Sequence, residues 1–250
     1  MASCKIIGME TLVTQICERY QATLKRIATA ARASGRDSES VRLVVVTKAQ
    51  PLEVVQAAVQ AGAHLLGENY PEESVSKISS FGPESGVEWH MIGHVQSRKA
   101  RLVIEHFDLL QSLDSLKLAE RLNRMAMETG RVLPVMLEFN VGGEQSKYGW
   151  PAMHEEDWST LYPDIEAILG LEHLQIRGLM TMPPLETDPE ETRIYFRTLR
   201  LLRDHLAARY PQADWNELSM GTSVDYEVAV QEGATLVRIG TAIVGPRPVH

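Results

Sequence analysis

Short apolar runs alternate with helical patterns along most of this chain. Eight segments are predicted to be strands: Leu43–Lys48, His64–Asn69, Glu88–Gly93, Leu109–Asp114, Pro134–Val141, Gln175–Met182, Asn216–Gly221 and Thr235–Val244. Helical patterns such as Leu52–Ala61, Leu116–Thr129 and Pro189–Arg209 lie between them. Strands that are separated by helices pair in parallel through right-handed crossovers. Eight such units in 250 residues predict an α/β protein with a (β/α)8 barrel of the TIM type, and a doubly wound open sheet is the competing architecture.

An additional helix is predicted before the first strand. Apolar residues recur there at steps of three and four, the spacing of one helical face: Leu12, Ile16, Tyr20, Leu24, Ile27 and Ala31. Gly35 lies just beyond this stripe and marks the end of the helix. No Pro/Gly/Ser-rich linker or change of composition divides the chain. Residues 1–250 are therefore predicted to form a single barrel domain with an extra N-terminal helix.

The composition narrows the class of protein. Hydrophobic residues make up 44% of the chain and charged residues 23%, as in soluble globular proteins. The net charge of −8 argues against general nucleic-acid binding. No apolar stretch is long enough to cross a membrane, no signal peptide is recognisable, and Cys4 and Cys17 form no metal-binding pattern. We expect a reduced, cytoplasmic protein without nucleic-acid or membrane partners, and a monomer because the helical pattern Pro189–Arg209 is richly charged.

Lys48 is the first candidate functional residue. It ends a run rich in β-branched residues and lies three residues before Pro51. An ammonium group without a partner is costly to bury, and burial lowers the pKa of a lysine. The neutral amine is the form that attacks an aldehyde to give a Schiff base. The alternative is a lysine whose head group reaches solvent at the strand end, and the position of Lys48 alone leaves both interpretations open.

The segment Leu218–Ser223 is a candidate anion site. It joins a predicted strand to the predicted helix Val224–Gln231. Small residues at such a junction, here Ser219, Gly221 and Thr222, allow backbone N–H groups and a helix N-terminus to approach an anion. The alternative is an ordinary helix start in which Thr222 and Asp225 form a capping pair.

The last predicted strand provides the second half of this anion site. A period of two places Leu236, Arg238 and Gly240 on one face of the strand, so Arg238 is expected to point into the barrel. A buried guanidinium must be paired, because it does not lose its proton. Gly240 allows close backbone approach, and Thr241 offers a hydroxyl and an N–H. In barrels, the loops after strands seven and eight commonly hold a phosphate.

Together these features favour a phosphorylated aldehyde as the ligand. Lys48 would bind the aldehyde, the last two loops would bind the phosphate, and Arg238 would face an acceptor between them. Pyridoxal phosphate has all three groups, and an arginine at its ring nitrogen weakens the ring as an electron sink. A lysine-dependent aldolase acting on a sugar phosphate shares Lys48 and the anion site but leaves Arg238 unexplained.

These residues belong to a longer series of stretches in which the chain resembles the pyridoxal phosphate homeostasis protein family, also called the proline synthetase co-transcribed homologue family. The matching stretches run in the expected order: VVVTK at 44–48, LLGENY at 65–70, WHMIGHVQSRK at 89–99, EQSKYG at 144–149, IRGLMTM at 176–182, LSMGTS at 218–223 and VRIGTAIVG at 237–245. The resemblance implies a barrel that carries pyridoxal phosphate and is similar to the N-terminal domain of alanine racemase.

The resemblance also implies roles for individual residues. Lys48 would be the Schiff-base lysine and Arg238 would face the ring nitrogen. The residues around the phosphate would be Ser219, Gly221, Thr222, Gly240 and Thr241. Asn69 would lie near the ring substituents and Met180 would cover a ring face. The alternatives are a side chain that satisfies the turn after the second strand for Asn69 and ordinary barrel packing for Met180.

The function implied by the resemblance is non-enzymatic: the protein would bind pyridoxal phosphate and help to control its free level and its delivery, with apo-forms of pyridoxal phosphate enzymes as partners. Racemases of this fold complete their site with a second domain. Only six residues follow Val244, so no catalytic second domain is expected and no catalytic residue is assigned. The alternative function is a small pyridoxal phosphate-dependent amino-acid racemase.

The sequence indicates less specific roles for several other polar residues. Lys147, in the loop after the fifth strand, is hypothesised to contact the cofactor or to accept it transiently, and an exposed loop lysine is the alternative. For His90 and His94 a structural or turn role is expected rather than a metal site, because no Cys or Asp lies near them in the sequence. Several carboxylates lie near strand ends, but the sequence does not indicate which of them converge: Glu68, Asp114 and Glu138.

Overall fold

The computed structural model of the protein describes the backbone of residues 2–247 and the side chains of residues 9–247. The strands in this part of the chain are β1 Arg42–Val46, β2 Leu65–Glu68, β3 Glu88–Met91, β4 Leu109–Leu113, β5 Leu133–Asn140, β6 Trp150–Pro151, β7 Leu174–Met180, β8 Glu217–Ser219 and β9 Leu236–Ile239. The α-helices are α1 Ala2–Ala33, α2 Leu52–Gln60, α3 Pro71–Ser79, α4 Ala100–His106, α5 Leu116–Thr129, α6 Tyr162–Leu169, α7 Arg193–Arg209, α8 Tyr226–Gln231 and α9 Thr241–Val244.

Eight of these strands form a closed parallel barrel. The hydrogen-bonded order is β4-β3-β2-β1-β9-β8-β7-β5, and β4 also pairs with β5, which closes the sheet on itself. The short strand β6 pairs with the end of β5 outside the barrel. Closure leaves the barrel strands without a free edge and brings all their carboxyl ends to one mouth. The predicted (β/α)8 barrel with an N-terminal helix is confirmed.

Alternation along the strands divides the core into two parts. The outward-facing apolar residues pack against the surrounding helices, for example Val45, Leu110, Leu137, Leu179, Leu218 and Val237. A separate, smaller apolar cluster fills part of the barrel interior: Val44, Leu109, Met136, Met180 and Leu236. These two sets occupy alternate positions of the same strands, as the period of two requires. Leu236 belongs to the inner set, so the predicted face of β9 is confirmed.

Helix α1 packs on the outside of the barrel, mainly against α2 and α8. Its predicted apolar stripe is buried at Ile16, Ile27 and Ala31. An ion pair between Arg26 and Glu227 fixes α1 to α8 at the surface. Beyond α1, the guanidinium of Arg36 donates a 2.7 Å hydrogen bond to the carbonyl of Val230 at the end of α8. Helix α1 therefore covers the segment that leads into the last strand of the barrel.

Most predicted strand bounds differ from the observed ones by one or two residues, and three further differences involve helices. The strand predicted over Thr235–Val244 ends at Ile239, and α9 begins at Thr241, because Gly240 leaves the extended conformation at φ −110° and ψ −87°. The helix predicted over Pro189–Arg209 begins as one 3₁₀ segment and becomes α-helical at Arg193. The helix predicted from Val224 begins at Tyr226. An apolar run alone does not distinguish a strand from a short helix, which explains the first difference.

Over the described residues, no helix is both long and apolar enough to cross a membrane.

Candidate functional site

A cavity of about 690 Å³ opens at the carboxyl ends of the barrel strands. Six of the residues predicted for the site line it: Lys48, Asn69, Thr222, Arg238, Gly240 and Thr241. They come from the ends of β1, β2, β8 and β9, which lie side by side in the sheet. Among the described residues, cationic ones outnumber acidic ones in the lining, which contains Lys48, Lys99, Lys147, Arg238 and Arg247 but only one carboxylate, Glu138. Such a cavity favours an anionic ligand.

Lys48 lies in a turn that the fold holds in a strained backbone conformation. The next residue, Ala49, has φ +55° and is the one non-glycine residue with positive φ in the described part of the chain. The side-chain amide of Gln50 donates to the carbonyls of Gly245 and Pro246 at 3.2 and 3.3 Å, which ties this turn to the segment after α9. Outliers of this kind persist where the surroundings fix the backbone, and they are common at ligand sites.

The pKa of the Lys48 amine is lowered from its ordinary value. Burial is the main cause, and the positive charges of Arg247 and Arg238 add to it, while Glu68 opposes the shift. Both the burial and the neighbouring cations favour the neutral amine, which is the nucleophilic form. The environment of Lys48 is therefore that of a lysine able to attack a carbonyl carbon.

A buried ion pair lies behind Lys48. The ammonium of Lys77 on α3 donates to a carboxylate oxygen of Glu68 and to the carbonyl of Thr47, at 2.8 and 2.9 Å. The hydroxyl of Thr47 donates to the same oxygen of Glu68 at 2.8 Å. The second oxygen of Glu68 is buried without a hydrogen-bond partner among the described residues. This arrangement holds a negative charge near Lys48 and keeps the ends of β1 and β2 together.

Arg238 is buried in the barrel interior, as the alternation of β9 predicts, with 4% of its surface exposed. Its Nη1 donates to the hydroxyl of Ser219, and its Nη2 donates to the carbonyl of Thr181 at 2.8 Å and contacts the sulfur of Met182 at 2.9 Å. Burial lowers the pKa of Arg238 to about 10, against the attraction of Glu138 and Asp225. The guanidinium thus remains charged at neutral pH, with neutral groups as hydrogen-bond partners.

The turn after β8 has the compact geometry expected of an anion site. Gly221 has φ +93°, and a Cβ added there would lie 2.6 Å from the Cβ of Ala229 on α8, so a side chain does not fit. The backbone N–H and the hydroxyl of Thr222 both donate to Asp225, at 2.6 and 3.0 Å. Thr222 and Asp225 are therefore paired with each other, although the N-cap residue of α8 is Asp225 and no side chain among the described residues caps the helix. Ser223, for which no individual role was predicted, lines the cavity beside Thr222.

Three predicted residues lie beneath the cavity lining. Met180 is fully buried in the inner apolar cluster, and the methionine that lines the cavity is Met182. The hydroxyl of Ser219 is buried between Arg238 and Gln111, and the carbonyl of Gly221 accepts from the backbone N–H of Arg238. Their contacts in the structure support the cavity floor. Asn69, by contrast, lines the cavity, and its side-chain oxygen is buried without a partner among the described residues.

Glu138 stands out among the residues that the sequence left unassigned. Its side chain lies at the end of β5, only 7% of the residue is exposed, and it faces the cavity. Burial and the nearby charge of Asp114 raise the pKa of Glu138 from 4.5 to about 7, although Arg238 and Lys147 act in the opposite direction. A carboxyl group with this pKa exchanges a proton near neutral pH. Lys147 lines the same cavity and lies 3.9 Å from Glu144 in its own loop.

A histidine–carboxylate pair completes the lining on the side of β3 and β4. The Nδ1 atom of His94 lies 2.6 Å from a carboxylate oxygen of Asp114, and its ring stacks on Tyr148 with centroids 3.7 Å apart. The sequence showed both residues near strand ends, but their approach follows from barrel closure. His90 lies elsewhere, in the barrel interior, where its ring is fully buried.

Among the described residues, no group of three or more His, Cys, Asp or Glu side chains is arranged to hold a metal ion. Cys17 is a free, half-buried thiol on α1, and the side chain of Cys4 lies outside the described residues.

Comparison with known proteins gives relatives over most of the chain. A family model described as "Alanine racemase, N-terminal domain" matches residues 19–248. The pyridoxal phosphate homeostasis protein of Vibrio alginolyticus is 41% identical over 216 residues, which cover 85% of this chain and 89% of the relative. The protein of the same name from Aquifex aeolicus is 38% identical and covers 92% of this chain and 98% of its own length.

Two solved structures show the same fold. PipY of Synechococcus elongatus, solved with pyridoxal phosphate bound, has a TM-score of 0.79 and 35% identity, over 92% of this chain and all of that one. An alanine racemase from Clostridium difficile has a TM-score of 0.66 and 16% identity, over 90% of this chain and 57% of that one, which is a likeness of fold alone. The family match and the curated relatives agree with the site geometry. This chain belongs to the alanine racemase N-terminal domain family and, within it, to the pyridoxal phosphate homeostasis proteins.

Proposed function

We propose that this protein binds pyridoxal 5'-phosphate, a form of vitamin B6, and takes part in intracellular pyridoxal phosphate homeostasis and delivery. The observation that carries the proposal is the presence of Lys48, with its lowered pKa, in one cavity with the buried cation of Arg238 and the compact turn at Gly221. The names of the curated relatives and the ligand bound to PipY support the same cofactor.

The donors present fit the groups of this cofactor. The cofactor supplies an aldehyde that links reversibly to amines and a ring that can withdraw electrons. Lys48 would make the covalent link, and Arg238 would face the ring nitrogen. The phosphate would lie against the two small-residue turns, with Ser219, Gly221, Thr222, Gly240 and Thr241 around it. Asn69, whose oxygen lacks a partner among the described residues, would meet the ring substituents, and Met180 would support the ring from below.

The protein's own groups favour holding the ligand over transforming it. Burial and two neighbouring cations keep a larger share of Lys48 neutral, which speeds the formation and the exchange of a covalent link. The charged Arg238 cannot donate a proton to a ring nitrogen as a carboxylic acid would, so the electron sink stays weak. We infer a non-catalytic carrier that exchanges its ligand with the free pool or with apo-forms of pyridoxal phosphate enzymes. A cytoplasmic location, a monomeric state and a single domain over 1–250 belong to this proposal.

The test is the absorption spectrum of the purified protein during titration with pyridoxal phosphate. We expect a visible band, fixed onto Lys48 by borohydride and located there by peptide mass analysis. Lys48→Ala should lack the band, whereas Lys25→Ala, which removes an exposed lysine of α1, should keep it. A native protein without the band, or a label on another lysine, would overturn the proposal.

A second candidate function, a small amino-acid racemase, is favoured by one observation. The pair of His94 and Asp114 gives the cavity a second potential proton acceptor besides Lys48, and two positioned groups are what racemisation needs. Exchange of the Cα proton of an amino acid for deuterium measures this directly. Exchange at a useful rate that is lost in His94→Gln would establish the enzyme. Absence of exchange in a protein that shows the visible band leaves the carrier.

A further inference from the structure

A line of hydrogen bonds crosses the barrel interior beneath the cavity. It begins at Arg238, whose Nη1 donates to the hydroxyl of Ser219. The hydroxyl of Ser219 donates to the side-chain oxygen of Gln111 at 2.6 Å, and the amide nitrogen of Gln111 lies 2.7 Å from Nδ1 of His90. The other ring nitrogen of His90 lies 2.7 Å from a carboxylate oxygen of Glu88. This series, called the lumen chain below, connects the site to the opposite mouth of the barrel.

All hydrogen bonds of the lumen chain are donated in the same direction, from Arg238 towards Glu88. The guanidinium of Arg238 only donates, so the hydroxyl of Ser219 accepts from it and gives its own proton to Gln111. The amide nitrogen of Gln111 also only donates, so Nδ1 of His90 is an acceptor and the ring proton is on Nε2. That proton points to Glu88. Each member therefore has a definite role, and no member can reverse its hydrogen bond without disturbing the next.

The lumen chain is shielded from water except at its far end, where the side chain of Glu88 is 44% exposed. Ser219, Gln111 and His90 are fully buried, and Arg238 is nearly so. At the far end, Glu88 is held ionised because its hydrogen bond from His90 lowers its pKa, and Arg42 lies 3.8 Å from it. A buried polar series is stable only when all its members are satisfied, and here each has its partner. The chain thus runs from a buried cation to an ionised carboxylate.

We propose that Gln111 and His90 are positioning residues for Arg238: through Ser219 they hold its guanidinium in the one orientation in which it faces the ligand. This inference rests on the proposed function, since it concerns the ring of pyridoxal phosphate. Without Gln111, the hydroxyl of Ser219 has to find another acceptor, and its lone pairs no longer stay aimed at Arg238. The remaining contacts of Arg238, to Thr181 and Met182, both involve Nη2, so Ser219 is the partner of Nη1 among the described residues.

Two variants of Gln111 with similar volume separate positioning from packing. Gln111→Leu removes the acceptor of Ser219, whereas Gln111→Glu keeps it. We expect Gln111→Leu to weaken pyridoxal phosphate binding about tenfold or more, as for the loss of a hydrogen bond that supports a charged group, and Gln111→Glu to bind within about threefold of the native protein. Thr192→Val is the matched control, because Thr192 is also buried and hydrogen-bonded but lies outside the lumen chain.

A second readout uses the protein without cofactor. Long-range ¹H–¹⁵N NMR of His90 should show in the native protein that Nε2 carries the proton and that Nδ1 is the acceptor. In Gln111→Glu an oxygen replaces the amide donor, so the hydrogen bond to Nδ1 persists only if that nitrogen also carries a proton. Thermal unfolding of each variant, also without cofactor, checks that the fold is retained.

The outcomes are separable. If Gln111→Leu folds and binds the cofactor as tightly as the native protein, the positioning role is wrong, whatever the function. If His90 in the native protein is protonated at Nδ1 instead, the direction of the lumen chain is wrong. A native protein that shows the predicted tautomer but never the visible band refutes the proposed function and leaves the hydrogen-bond series itself in place.

Discussion

Glu138 offers the sharpest test of the site's electrostatics. Its carboxyl group lies in the cavity wall, and its pKa in the folded protein is about 7 against an ordinary value of 4.5. Substitution by glutamine keeps the shape of the side chain and removes the ionisation. Because the shift arises from burial and from Asp114, it is a property of the folded state, and the unfolded chain should titrate normally.

The sign of the effect follows from proton binding. The folded protein binds the proton of Glu138 more tightly than the unfolded chain does, so the free energy of unfolding falls as the pH rises from 4.5 to about 7 and is constant above that. Integrated over this window, the ionisation of Glu138 lowers the free energy of unfolding by about 3 kcal/mol at pH 8 and by about 1 kcal/mol at pH 5. Glu138→Gln should therefore stabilise the protein much more at pH 8 than at pH 5.

Urea unfolding of the cofactor-free protein at these two pH values measures the difference. We expect Glu138→Gln to exceed the native protein in free energy of unfolding by about 2 kcal/mol more at pH 8 than at pH 5. Glu84→Gln, at an exposed glutamate, controls for the general effect of removing a negative charge and should show no such difference. An equal gain from Glu138→Gln at both pH values would refute the assigned environment.

Three further substitutions test the backbone and the buried charges. Ala49→Gly should raise the free energy of unfolding by about 1 kcal/mol in urea titrations, because φ +55° is unfavourable for a residue with a Cβ, and a loss of stability would contradict this. Gly221→Ala should lower it by about 2 kcal/mol or more and weaken phosphate binding in calorimetry, since the new methyl group meets Ala229 at a φ of +93°. Lys77→Met should destabilise by about 3 kcal/mol by leaving Glu68 buried and unpaired, and adding Glu68→Gln should recover part of the loss in a double-mutant cycle.

The barrel could be predicted from the sequence because its signals are local. Most strands lie in short apolar runs between helical patterns, and each of these patterns is visible without knowledge of the others. The ends of the strands and helices were predicted less accurately. The run after Ile239 is apolar throughout, and only the conformation of Gly240 decides that it continues as α9 rather than as strand. That decision depends on contacts with β1, whose Val46 lies against Gly240.

The site was predictable where one strand determines it. The period of two on β9 directs Arg238 inward, and the end of β1 places Lys48 at the mouth, so both residues lie in one cavity as the barrel requires. Beyond the last residue of a strand this rule no longer applies. Met180 still obeys it and lies inside the barrel, whereas Met182, two residues later, is the methionine that lines the cavity. The loop conformation that brings Met182 there is set by tertiary contacts.

The contacts within the lumen chain could not be predicted without knowledge of the closed barrel. Ser219 and Gln111 are 108 positions apart, and the alternation of β8 and β4 states only that both side chains point inward. Considered separately, each is a polar residue at a core position and would destabilise the barrel. The buried guanidinium of Arg238 explains why both are present. A guanidinium cannot be buried against Met136 and Leu236 alone, so part of the interior must be polar, and the polar side chains must reach one another across the lumen. The lumen chain is therefore a consequence of one requirement, which is to hold a cation in a fixed orientation beneath a cavity.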